Sequence, residues 1–338
     1  MRLFCEPYNY RMKRIIKFLG LTLLIVIAVC GISYLTDKRT YTGWKLTNNS
    51  TDKTEISWAR FIWGADTLSG KYYDKAYMQI PCNLEGLPNV FTFQFDLGAN
   101  LTGVYENSFS SFYPLRQDLK NEIERLKSPL QFWNKNIAFK NCKINFGNYT
   151  ATNQVSFIYR NYGQKIANPN LTDTFHLGTI GADLFKDKIL IIDYPNKQFA
   201  ICDTFPKDFA INLIDIELDN NRRVILPMTI HNKSYRIMFD NGSSLFPIIT
   251  EAKNISKFST LHDVDTLQIS SWGKKHNVTS KMINDTFILA GQTFSNVKVY
   301  ANHSGLGIDN TTDGMTGNAL FWDKTIIIDF KSKKFGVK

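Results

Sequence analysis

Two aspartates each close a mostly apolar run and are followed two positions later by glycine. Asp96 lies in FQFDLGAN (93–100) and Asp240 in IMFDNGSS (237–244). An acid at the end of an apolar strand is costly to desolvate unless it is hydrogen-bonded, paired or needed for chemistry. Two carboxylates brought close together cannot easily both ionise, so they share a proton and their titrations split. The ionised member can then take a proton from water while the protonated member polarises a peptide carbonyl. Such chemistry requires no metal, cofactor or covalent intermediate. Gly98 and Gly242 allow the sharp backbone turn that aims amides at the acid. The bland alternative is two Asp residues that merely cap turns.

The elements that would position these acids come from an internal repeat. GADLFKDKILIIDYPNKQFAI (181–201) and GNALFWDKTIIIDFKSKKFGV (317–337) share ten of 21 positions without a gap. Asp96 precedes Gly181 by 85 residues and Asp240 precedes Gly317 by 77, so the elbows belong to the same repeat. The chain therefore divides into two related lobes, 68–204 and 205–338, each reading mainly as strands. Asp193 and Asp329 begin hairpin turns, where local backbone bonds are expected of them. PLRQDLKNEIERLKSP is the clearest helix, with Pro114 in its first turn and Leu115, Leu119, Ile123 and Leu126 as a packing stripe.

FDLGA and FDNGSS, with the partner segments GTIGADLF (178–185) and GMTGNALF (314–321), resemble the pepsin-like and retropepsin-like aspartic proteases over roughly residues 75–338. The resemblance implies a mainly β, bilobal aspartic-protease-like fold of two homologous β lobes around a long peptide cleft. It makes Asp96 and Asp240 the catalytic dyad, supported by Leu97, Gly98, Ala99, Asn241, Gly242 and Ser243, with the Ser243 hydroxyl donating to a carboxylate. Ile180-Gly181 and Thr316-Gly317 would be the paired apolar-Gly motifs. Tyr149, beside the turn of INFGNYTAT, is the possible flap tyrosine, against a plain packing role. Leu97 and Asn241 stand where the family usually has Thr or Ser, whose hydroxyls tie the lobes together. Two readings follow: an endopeptidase, or a catalytically inactive module of the same fold that binds peptides or a partner protein. Either way the expected partner is a peptide or protein. Both acids lie on one chain, so a homo-oligomer is not required.

Composition narrows the setting. The net charge is +10, of which +4 falls in residues 1–17, and no Lys/Arg block follows, which argues against nucleic-acid binding. Residues 18–35 are an uncharged apolar run behind this basic segment. They read as a transmembrane anchor with the bulk of the chain extracytoplasmic, or as a signal peptide. Cleavage would leave a secreted protein, or a lipid-anchored one through Cys30. Residues 36–67 read as a tether and first strands. Cys82, Cys142 and Cys202 are too few for a disulfide framework. His176, His231, His262, His276 and His303 are scattered, so no metal site is expected and each is read as surface or packing.

Overall fold

The structure, a computed structural model, describes residues 6–37, 43–51, 56–126, 138–167, 173–206, 209, 211–305 and 311–338. It is mainly β, with two lobes each built on its own sheet and a third sheet joining them. The eight-stranded sheet of the first lobe runs from Lys45–Asn48 to Phe175–Ile180, and the ten-stranded sheet of the second from Glu217–Leu218 to Gly314–Thr316. The second-lobe sheet is an open path of strands, whereas in the first-lobe sheet Ala138–Phe146 pairs with both Lys71–Leu84 and Tyr149–Tyr159.

The joining sheet records the duplication directly. Ile189–Asp193 and Thr325–Asp329 are counterpart segments of the repeat, and they pair antiparallel with Ile191 opposite Ile327. These two residues are equivalents in the repeat, so each strand meets its own copy and a pseudo-twofold axis passes between them. Continuous apolar runs suit this position, since a central strand covered on both faces buries every side chain; Ile189–Asp193 is buried throughout. Asp193 and Asp329 cap the following turns as expected. Asp193 accepts from Asn196 N at 3.2 Å, and Asp329 accepts from Lys331 N at 2.9 Å and Ser332 N at 2.8 Å.

Residues ahead of the first lobe are not only a tether. Lys45–Asn48 pairs with Tyr149–Tyr159, Trp58–Arg60 joins the shared sheet, and Ile62–Leu68 forms a hairpin with Lys71–Leu84. The expected helix begins later than Pro114. Pro114 sits in a 3-10 turn, Ser110–Leu115, and the α-helix is Gln117–Leu126. Leu115 is exposed, and the packing expected of Leu119, Ile123 and Leu126 lies outside the described side chains.

At the N-terminus, Glu6–Asp37 is one helix of 32 residues. At 1.5 Å per residue it rises about 48 Å, more than the ~30 Å hydrocarbon core of a bilayer. Its Ile15–Ile32 stretch has a mean hydropathy of 2.7 and no residue buried among the described residues, which makes it a candidate membrane span or signal sequence.

Candidate active site

The first elbow follows from strict alternation in FTFQF. Phe91, Phe93 and Phe95 face the core, which leaves Thr92, Gln94 and then Asp96 on the opposite face. This strand pairs in parallel with Phe175–Ile180, and Asp96 N donates to Ile180 O at 3.0 Å. The second elbow repeats the construction. Lys233–Phe239 pairs in parallel with Gly314–Thr316, and Asp240 N donates to Thr316 O at 2.9 Å. Each turn closes on its own acid, through Ala99 N to Asp96 O at 3.2 Å and Ser243 N to Asp240 O at 3.0 Å. The apolar-Gly segments thus receive the elbows. A Cβ on Gly317 would lie 1.7 Å from Ser243 O, so no side chain fits there.

The two elbows meet. A Cβ on Gly98 would stand 2.4 Å from Asp240 Cγ, and one on Gly242 would stand 2.6 Å from Asp96 Cγ. Each glycine therefore leaves space for the opposite acid. The Cβ added to Gly242 would also lie 2.7 Å from Asp96 Oδ1 and 3.0 Å from Asp240 Oδ1, so both carboxylates crowd one point. The amides that hold them cross between lobes: Gly98 N donates to Asp240 Oδ1 at 3.2 Å, joined by Gly242 N at 2.9 Å. Ala99 N donates to Asp96 Oδ1 at 2.9 Å.

Burial raises the pKa of Asp96 well above the ordinary carboxylate range, and the neighbouring Asp240 adds to the rise. Burial also raises Asp240, but the bond with Asp96 and the amides of Gly242, Gly98 and Ser243 favour its charged form. The pair therefore holds a proton into the range where isolated carboxylates are ionised, with Asp240 the better stabilised as an anion.

The lock beneath the dyad is one-sided. Asn241, fully buried, accepts from Leu97 N at 2.6 Å. Leu97 returns nothing from its apolar side chain, and the Asn241 amide instead lies 4.0 Å from Met78 Sδ. Ser243 holds Asp240 with its backbone amide; among the described residues its hydroxyl makes no bond to the acid. Tyr149 is placed away from the cleft. Its ring is buried in the first-lobe core, and its hydroxyl donates to Ser57 O and accepts from Ile201 N at 2.9 Å. A phenol buried that deeply needs such partners, which explains the residue as packing.

Several supporting residues escaped the sequence reading. Asn318 donates to Asn241 O at 2.8 Å and Ser244 Oγ at 2.7 Å, and it accepts from Tyr194 at 2.6 Å. In the first lobe, Thr102 donates to Asp183 from its amide at 2.8 Å and its hydroxyl at 2.7 Å, and accepts from Gly181 N at 2.9 Å. His176, read as surface or packing, lines the cleft. Its Nδ1 lies 3.1 Å from Gln79 Nε2 and 3.3 Å from Thr92 Oγ1. Burial pushes its pKa down to about 4. The alternation in FTFQFD was the available signal for this wall, because it puts Thr92 and Gln94 on the face of Asp96.

Both acids open into a cavity of about 450 Å³. One hairpin from each lobe borders it, and the two touch: Gln268 N donates to Ser69 Oγ at 2.9 Å. Trp272, at the tip of the second-lobe hairpin Asp265–Ser271/Lys274–Ile283, reaches the first lobe. Its ring lies 5.1 Å from Tyr159 and 5.3 Å from Tyr162. No group of His, Cys, Asp and Glu suited to a metal occurs among the described residues.

No protein-family model matches the sequence, and no curated protein matches it. Among solved structures, the chain is similar to an aspartic proteinase from Irpex lacteus at 10% identity and a TM-score of 0.43. That match covers 84% of this chain and 97% of the other. It is also similar to a retropepsin-like aspartic protease from Rickettsia conorii at 16% identity and a TM-score of 0.24, covering 32% of this chain and 84% of the other.

Proposed function

We propose that this protein is a membrane-anchored aspartic-type endopeptidase, with Asp96 and Asp240 as its dyad and the two lobes outside the cytoplasm. The observation that carries this reading is the reciprocal fit of the elbows, in which each glycine faces the other elbow's carboxylate. A water between the acids would lose a proton to the ionised carboxylate and attack the peptide carbon. The protonated acid would give its proton to the carbonyl oxygen. Collapse of the resulting diol returns a proton to the departing nitrogen and breaks the C–N bond. The elevated pKa of the pair supplies one acid and one base at mildly acidic pH. The basic residues before the apolar run 18–35 favour a cytoplasmic N-terminus.

The one-sided lock favours a second reading, a peptide-binding module without turnover. Leu97 gives the dyad no side-chain bond from the first lobe, and misplacing a carboxylate by an ångström can cost about a hundredfold in rate. Detergent-solubilised full-length protein, given a peptide library from acid to neutral pH, separates the two. The peptidase is expected to cleave, to lose cleavage in both Asp96→Asn and Asp240→Asn, and to be blocked by a statine-type peptide. Tight binding without cleavage at any pH would leave the module.

A further inference from the structure

The two walls of the cleft are equivalent in backbone and differ in chemistry along one row. Two residues before each acid, a row of side chains crosses three strands on the acid's face. In the first lobe the row is Gln79, Gln94 and Thr179, each directly opposite the next. In the second lobe the same positions hold Ile225, Met238 and Met315. Every polar member of one row has an apolar counterpart in the other.

The surroundings extend this contrast. In the second lobe, Met315 packs with Phe246, Ile249 and Ile269 in one apolar cluster, and all four line the cleft. In the first lobe, Gln79, Gln94 and His176 line it. Gln79 spends its amide hydrogens on Thr92 Oγ1 at 3.2 Å and on His176 Nδ1. Its carbonyl oxygen is left as an acceptor, and the Gln94 carboxamide beside it on the next strand lines the cleft with a donor and an acceptor. With its pKa at about 4, His176 stays uncharged over mildly acidic pH, so this wall is polar without being ionic.

Successive side chains of an extended peptide point to opposite sides. Residues on either side of a scissile bond held at the dyad therefore face different walls. We infer that the cleft selects extended peptides with a carboxamide side chain, Gln or Asn, on one side of the scissile bond and a bulky apolar side chain on the other. A carboxamide carries both the donor and the acceptor that complement the first-lobe wall, while a Leu there would leave the Gln79 carbonyl and the Gln94 carboxamide facing it unpaired. The selectivity rests on the peptidase reading for its scissile bond, but it is measurable without turnover.

The test is competition binding of uncleavable hydroxyethylene peptides to the full-length protein, varying one flanking residue at a time. At one position Gln is expected to bind about ten- to a hundredfold more tightly than Leu, and at the other Leu more tightly than Gln by a similar factor. The double variant Gln79→Ile/Gln94→Met, which copies the second lobe, is expected to abolish or reverse the Gln preference while leaving the apolar position unchanged. Wild-type protein that prefers Leu at both positions, or binds none of the peptides, would overturn the inference; so would a folded double variant with an unchanged profile. Asymmetric binding with cleavable peptides left intact would remove the peptidase and keep the selectivity. Cleavage without asymmetry would do the reverse.

Discussion

The two elbows carry the same backbone on different side chains. Both end a strand paired in parallel with an apolar-Gly segment, both close through an amide three residues on, and both present an acid to the axis. Yet Asn241 reaches across to hold the Leu97 amide and Leu97 offers nothing in exchange. Asp240 draws on the amides of Gly242, Gly98 and Ser243, whereas Asp96 draws on Ala99 and Gly98. The difference teaches that symmetry is enforced where a glycine is closely approached, by the opposite carboxylate at Gly98 and Gly242 and by the elbow backbone at Gly317, and relaxed where a side chain only supports the turn. An asymmetric pair is also what acid–base chemistry needs, since one member must hold the proton and the other release it.

On the peptidase reading, the largest effect expected from breaking this arrangement is loss of cleavage. Asp96→Asn and Asp240→Asn should each lower kcat by about a thousandfold or more, because general acid–base participation alone is worth about 10²–10⁴. Steady-state kinetics on both variants checks this, and unequal losses would sharpen which acid is the base. Next come Gly98→Ala and Gly242→Ala, whose new methyl groups would push the opposite carboxylate aside. Rates should fall by about a hundredfold while substrate binding falls less.

Replacing Asn241 by Leu makes the elbows alike at the position that now differs. It leaves the buried Leu97 amide without its acceptor, so chemical denaturation should register a loss of about 1–3 kcal/mol. A loss near zero would mean that the one-sided lock contributes little. The pH dependence of stability divides the same way between groups. For Asp96 and Asp240, whose folded pKa values are raised, the contribution is full at low pH and declines as pH rises from the ordinary carboxylate range through the raised values. For His176, depressed to about 4, the contribution is full above the ordinary imidazole pKa and is lost as pH falls toward 4. Midpoints of unfolding measured across pH, with Asp96→Asn and His176→Gln flattening opposite limbs, test both signs. The smallest effect belongs to Trp272→Ala. Its contacts with Tyr159 and Tyr162 should contribute about 1 kcal/mol, read as faster amide exchange in the second-lobe hairpin.

What the sequence made legible is what duplication preserves. The Asp-x-Gly elbows, the repeat and the mainly β character are local patterns, and they stand out because they occur twice. The polar wall was harder to see, because Gln79 meets Gln94, and His176 meets Thr92, only through strand pairing, and no local spacing announces that register. Tyr149 is the opposite case, where the plain packing role is the one the structure supports. A tyrosine beside a Gly-containing turn looks available, yet its ring fills the first-lobe core and its hydroxyl bridges to Ser57 and Ile201. Pro114 was a fair helix signal placed one turn early, since Arg116 breaks from helical geometry before Gln117. Asn318 could not be singled out because its repeat counterpart is Ala182, which carries no polar group.

The shared proton itself is open to measurement. Carbon-13 NMR of the aspartate carboxyls in detergent-solubilised full-length protein, assigned with the two Asn variants, follows both acids through a pH titration. Two coupled steps are expected, one well above the ordinary carboxylate range, with removal of either acid returning its neighbour toward a single transition. Independent titrations of Asp96 and Asp240, each within the ordinary range and each indifferent to loss of the other, would contradict the account.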